Sequence, residues 1–354
     1  MKKLLITSER NLPQREGLIR FLDNVIPSLA KKFDTTLILP ESKKSLNYKN
    51  VKNISIGKSN FKINDYSFPA IFNSKYKKSV KDNDVVLINS LGIIGWRCVQ
   101  ECIKQKKAYV IYIHLLEWKL LNFYLKVMNL MTFLEKYFVR KYLNNSKGVL
   151  VPSQEIKKEL INIGIKESLI SVVELGIDSQ MFVKKHIERS KQITIGFSGR
   201  FAIEKNIKTL YNVFLKLKTK YNIELLLIGD GPERKHFPEA NITGFVENVE
   251  DYLNKLDIYV MPSTEETTCL AALEAMSCEL LVVANKVGVI KNIIKDGDNG
   301  YFFKDEFELE QKLIYLIEHK NERLKLGINA RKAVLNLSWD KTNEKIEMEI
   351  KKVV

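Results

Sequence analysis

Asp257-Ile-Tyr-Val-Met-Pro-Ser-Thr-Glu-Glu-Thr-Thr-Cys-Leu-Ala-Ala-Leu-Glu-Ala-Met276 reads as a strand, a loop and a helix in direct succession. The apolar run of 257–261 is stopped by Pro262 and Ser263, and Leu270, Leu273 and Met276 then recur at helical spacing. Glu266 is therefore expected in the loop, and Glu274 one to two turns into the helix. Between them the amides near Thr268, Cys269 and Leu270 have no acceptor within the helix, and the helix dipole places partial positive charge there. An anion suits that position. A carboxylate on either side further suits a ligand that carries both phosphates and vicinal hydroxyls.

The same short apolar run recurs along the whole chain. Residues 3–7, 35–39, 85–89, 109–114, 148–151 and 170–174 are strand candidates in the first half. Residues 193–198, 223–228, 242–245, 257–261 and 280–284 follow in the second. They are continuously apolar rather than alternating, as strands covered on both faces of a parallel sheet must be. Helical patterns separate them, which predicts an α/β chain of two Rossmann-like, doubly wound domains. At 354 residues the chain is long for one core, so two domains are expected over 1–180 and 191–335. The charged stretch 181–191 is the expected linker, and the tail from Trp339 is again helical.

Charge divides these halves unequally. The net charge is +15, of which residues 1–178 carry +14 (30 Lys and Arg against 16 Asp and Glu) and residues 179–354 only +1 (27 against 26). A small anionic ligand at the Glu266 segment does not explain an excess in the other half. A large anionic partner does, either a membrane surface or a nucleic acid; solvated lysine-rich faces are the plainer alternative. The start of the chain lacks the apolar run of a signal peptide, and the four cysteines form no zinc-like set, so the protein is expected in the cytoplasm.

Residues 115–142 mix aromatic, leucine and lysine residues. Glu117, Lys119, Lys126, Glu135 and Lys136 make the segment too charged to span a bilayer comfortably. It suits an interfacial helix with Trp118, Phe123, Tyr124, Phe133 and Phe138 in lipid, or a core helix whose apolar face packs on a sheet.

Two further loops carry chemistry. Ile193-Thr-Ile-Gly-Phe-Ser-Gly-Arg-Phe-Ala-Ile-Glu-Lys-Asn206 ends a strand at Gly199, and Arg200 and Lys205 follow it as a candidate diphosphate clamp. Leu225-Leu-Leu-Ile-Gly-Asp-Gly-Pro-Glu-Arg234 turns at Gly229 and Gly231 on the edge where open α/β sheets bind ligands.

In order, these pieces resemble glycosyltransferase family 4, the retaining group 1 enzymes of GT-B architecture. The resemblance is carried by Gly199-Arg200, Glu204-Lys205, Gly229-Asp-Gly-Pro232, Gly244-Phe-Val246, Met261-Pro-Ser263, Glu266, Glu274-Ala-Met276 and Asp296-Gly-Asp-Asn-Gly300. It implies two domains facing across a cleft, with 336–354 as a helix crossing back to the first. It also implies a nucleotide diphosphate sugar, based on UDP or GDP, as donor substrate, with no cofactor and no metal. Arg200 and Lys205 would then hold the diphosphate, Glu274 the ribose hydroxyls and Glu266 the transferred sugar. Gly17, Gly229 and Gly231 would lie along the donor, Val246 at the base, and Thr268 to Leu270 at the phosphate or sugar. His114 matches the histidine beside the reacting sugar. Three departures stand out. Only Gly17 remains of the usual paired glycines, Cys278-Glu279 replaces a glycine-containing turn, and 287–291 lacks a second glycine and an acid.

The leading reading is a hexosyltransferase of glycan biosynthesis, making lipopolysaccharide, capsule or glycolipid. Its acceptor would be lipid-linked or a glycan, reached at an anionic membrane surface through the basic first domain and helix 115–142. A sugar-nucleotide epimerase or hydrolase of the same fold is the alternative within enzymes. A nucleic-acid-binding protein is disfavoured, because the aromatics cluster with aliphatics and the charge is chiefly Lys.

Overall fold

The computed structural model describes residues 1–11, 17–63, 66–114, 129–187 and 192–354. Arg15 and Glu16 of the first-domain loop, residues 115–128 of the 115–142 segment and residues 188–191 lie outside them. The chain divides into two compact units, Met1–Leu175 with Trp339–Val354, and Gly176–Ser338.

In the first unit, strands β1 (Lys3–Thr7), β2 (Asp34–Pro40) and β3 (Val51–Ile56) are followed by a hairpin of β4 (Lys58–Ile63) and β5 (Tyr66–Pro69). Strands β6 (Val85–Ile88), β7 (Ala108–Tyr112), β8 (Gly148–Val151) and β9 (Ile170–Val172) complete it. The sheet runs β3-β2-β1-β6-β7-β8-β9 and every pair is parallel. β6 and β8 are buried at every residue, which is why they read as unbroken apolar runs. Alternate residues serve opposite faces. Leu5, Val86, Ile88, Ile111 and Val149 pack with Tyr76, Cys98, Val99, Tyr142 and Leu143 of the helices Ser74–Asp82, Ile93–Gln105 and Asn129–Asn144. On the other face the Phe21 ring lies 4.8 Å from Tyr112 and 6.5 Å from Trp339, where the helices Gly17–Leu29 and Trp339–Lys351 pack together. Thr342 Oγ1 donates to Glu174 O at 2.7 Å and anchors that last helix.

The second unit contains β10 (Ile193–Ser198), β11 (Ile223–Ile228), β12 (Asn241–Ile242), β13 (Ile258–Met261), β14 (Leu281–Ala284) and β15 (Tyr301–Phe302). They lie in the order β12-β11-β10-β13-β14-β15, again all parallel. The described part of the expected linker belongs to this unit: Phe182 is buried in its core with Leu253, Leu273 and Val334. Arg331 pins the stretch from the side, donating to Phe182 O at 3.0 Å and Ser179 O at 3.3 Å.

Both sheets reverse strand order once, between β1 and β6 in the first and between β10 and β13 in the second. Open parallel sheets bind ligands outside the strand ends at such a reversal.

Candidate functional site

The loops leaving β10 and β13 flank the reversal of the second sheet, and the predicted residues of this unit gather on them and on the neighbouring strand ends. After β10 the chain turns through Gly199 and Arg200, passes the buried Phe201, and reaches Lys205 at the end of a short 3-10 turn. Thr264 N and Oγ1 both donate to Glu204 O, at 2.9 and 3.2 Å, tying the loop after β13 to that turn. Glu266 lies in this loop, as the spacing predicts. Its Oε1 accepts from Lys205 Nζ at 2.5 Å and from Ser263 Oγ at 3.2 Å. Burial lowers the Lys205 pKa, but Glu266 and Glu204 more than offset it, so the group titrates above an ordinary lysine.

Glu274 stands in the second turn of the helix Leu270–Ser277 and is 5% exposed. The helix begins at Cys269, whose φ of 51° is left-handed. Gly288 closes over it, since a Cβ there would meet Cys269 Sγ and Thr267 O at 2.7 Å. Among the described residues none accepts from the amides of Thr268, Leu270 or Ala271, which leaves three donors at the positive end of the helix. Burial and the charge of Glu266 push the Cys269 thiol well above its usual range.

The glycines after β11 allow two strand ends to touch. A Cβ on Gly229 would lie 2.1 Å from Gly199 O, and one on Gly231 would lie 2.4 Å from Phe201 O. Phe201 N donates to Asp230 O at 2.8 Å across the same junction. Val246 is partly buried beside the core, whereas its neighbour Phe245 is 57% exposed. Phe245 is a surface the sequence reading did not single out. The apolar triplet Gly-Phe-Val disguised it as a strand interior.

Gly17 and His114 belong to the first unit. Gly17 is the exposed first residue of the helix Gly17–Leu29. His114 follows β7, packs at a tilt on Tyr112 at 4.5 Å and meets Phe21 edge-on at 4.7 Å. Its Nε2 lies 2.7 Å from Asn89 Oδ1, and Asn89 N donates to Thr7 Oγ1 at 3.1 Å. Three strand ends of the first sheet thus meet at one point. Burial lowers the His114 pKa to about 3, so the ring is neutral at physiological pH.

A description of glycosyltransferase family 4 matches residues 16–181, and one of group 1 glycosyl transferases matches 178–333. The chain belongs to glycosyltransferase family 4. The sulfoquinovosyl transferase of Arabidopsis thaliana is 31% identical to this family 4 chain over 56% of its length and 43% of that protein. The α-monoglucosyldiacylglycerol synthase of Acholeplasma laidlawii is 26% identical over 50% of each chain. The match therefore spans about half the length of these relatives. The crystal structure of Anabaena HepE in complex with UDP and glucose superposes with a TM-score of 0.82 at 15% identity, covering 99% of this chain and 100% of that one. The fold is GT-B.

No helix among the described residues is long and apolar enough to cross a membrane. The described end of the 115–142 segment serves the core on one side, through buried Val139 and Tyr142. Tyr137 and Phe138 of the same helix are 57% and 47% exposed.

Proposed function

We propose that this family 4 chain transfers a hexose, with retention and without a metal, from a nucleotide diphosphate sugar to a lipid-linked or glycan acceptor at the cytoplasmic face of a membrane. The observation that carries the reading is the cluster at the reversal of the second sheet. There Lys205 and Glu266 touch, and Glu274 is buried on the helix whose first amides have no acceptor among the described residues.

In this reading Arg200, Lys205 and the amides of 268–270 receive the diphosphate, while Glu274 accepts from the ribose hydroxyls and Glu266 from the sugar. Gly229 and Gly231 let the backbone approach the donor, and Val246 meets the base. As the anomeric C–O bond breaks, the electron pair stays on the β-phosphate oxygen and positive charge develops on the ring. Preorganised cations and dipoles at that oxygen lower the barrier. The acceptor hydroxyl forms the new C–O bond on the face the phosphate leaves, and its proton passes to the departing phosphate. Gly17 and the neutral His114 are assigned to the sugar side of this reaction, His114 as a hydrogen-bonding group rather than a charged one.

The name of one relative, an α-monoglucosyldiacylglycerol synthase, supports the lipid side of the proposal. A panel of UDP and GDP sugars, scored for donor hydrolysis and for transfer to lipid acceptors, tests it. Anomeric analysis of the product should give retention. Inversion, or epimerised sugar nucleotide with no transfer, would contradict the reading.

A further inference from the structure

The helix Ser74–Asp82 is entered by a residue that lacks its usual partner. Asn73 caps it, its side chain accepting from Lys75 N at 2.9 Å, which places Phe72 just before the cap. An apolar residue there normally packs on an apolar residue in the first turn and fixes the chain's entry. In this chain the facing position is Lys77, and Phe72 is 92% exposed with Ile71 beside it at 38%. Among the described residues no large apolar side chain is more open.

The helix that follows this pair is basic. Lys77, Lys78 and Lys81 are all exposed, and none forms an ion pair among the described residues. The face continues onto the neighbouring helix Ile93–Gln105, since Gln105 Nε2 donates to Lys77 O at 3.2 Å. Ile103 and Lys106 are exposed there. Two open apolar side chains followed by a helix with three exposed lysines form an amphipathic surface whose complement is apolar beneath and anionic above.

We infer that Ile71 and Phe72 insert into an anionic phospholipid bilayer while Lys77, Lys78 and Lys81 engage its headgroups. A bilayer fits because exposed apolar side chains next to exposed, unpaired lysines match an apolar layer under anionic headgroups. It fits better than a nucleic acid because the cations are Lys, with no Arg among them. The inference rests on the proposed membrane-face function and gives it a docking surface separate from residues 115–142.

Co-sedimentation of the full chain with vesicles tests this, comparing phosphatidylcholine alone with phosphatidylcholine and phosphatidylglycerol. The wild-type chain should partition onto the anionic vesicles and lose them as salt is raised. Phe72→Ala should weaken partition about ten-fold. Each of Lys77→Gln, Lys78→Gln and Lys81→Gln should weaken it about five-fold. Phe72→Trp should bind as the wild type and shift its emission to the blue on binding. All variants should keep the wild-type melting temperature and donor hydrolysis, since the altered side chains are exposed.

Wild-type partition by Phe72→Ala and the lysine variants would overturn the docking surface while leaving the transferase reading intact. No anionic-vesicle binding by the wild type, with sugar transfer to a soluble acceptor retained, would do the same. Vesicle binding with the expected losses but no donor hydrolysis would instead overturn the transferase reading alone. Loss of RNA retardation in these variants without loss of vesicle binding would reassign the face to nucleic acid and overturn the inference.

Discussion

Lys205 Nζ and Glu266 Oε1 lie 2.5 Å apart, joining the loops that leave two adjacent strands although 61 positions separate them in the chain. Both side chains are mostly buried, 21% and 18% exposed. The pair therefore holds a cation and an acceptor at fixed positions where the proposed diphosphate and sugar would meet.

Replacing either member should uncouple the other. A double-mutant cycle over Lys205→Ala and Glu266→Ala should return a coupling of about 1 kcal/mol in stability. The raised Lys205 pKa sets its pH range: the contribution is complete below the unfolded lysine value near 10.4 and is lost as pH rises through the folded value. Activity should fall further, by about 100-fold or more for Lys205→Ala. Equal turnover in Lys205→Ala and wild type would remove this lysine from the reaction.

Acid should destabilise the first unit through His114. Its folded pKa is about 3 and an unfolded histidine titrates near 6.5. Between those values the unfolded chain binds more protons, so stability falls as pH drops through that window, by up to about 1.4 kcal/mol per unit. Denaturation midpoints for His114→Gln should have a shallower slope in the window than wild type. Parallel slopes would show that the ring takes up its proton equally in the folded and unfolded chain, which would contradict this account.

Much of this architecture is legible in the sequence because burial on both faces leaves an unmistakable run. The expected limits of 3–7, 148–151, 193–198 and 223–228 coincide with β1, β8, β10 and β11. Strand β3 escaped notice since Val51-Lys-Asn-Ile-Ser-Ile56 is an edge strand, only Ile56 being fully buried. The β4–β5 hairpin and the two-residue β15 offer still less pattern. Helical spacing placed Glu266 in a loop and Glu274 on a helix, but the Lys205 contact depends on β10 lying beside β13. Strand order is a long-range property that no local pattern encodes. Exposure is similarly hidden, and Phe72 and Phe245 look in sequence like any core aromatic.

One departure from the family pattern has a stability consequence. Glu279, where a glycine-containing turn is usual, has a left-handed φ of 58°. Glu279→Gly should relieve about 1 kcal/mol and raise the melting temperature of the second unit by about 2 to 4 °C. Gly327→Ala should act in the opposite direction, because its Cβ would lie 2.1 Å from Glu279 O. Calorimetric melting checks both, and a lower midpoint for Glu279→Gly would mean that its side chain has a stabilising contact outweighing the strain.

The central claim is that the strand-order reversal of the second sheet is a nucleotide diphosphate sugar site built on Arg200, Lys205, Glu266 and Glu274. Isothermal titration of UDP and GDP sugars into wild type and Glu274→Ala tests it most directly. The account predicts that one donor binds the wild-type chain and that Glu274→Ala weakens it at least ten-fold, as loss of a charged hydrogen-bond acceptor requires. Undiminished binding in Glu274→Ala, or no binding of any nucleotide diphosphate sugar to the wild type, would contradict it.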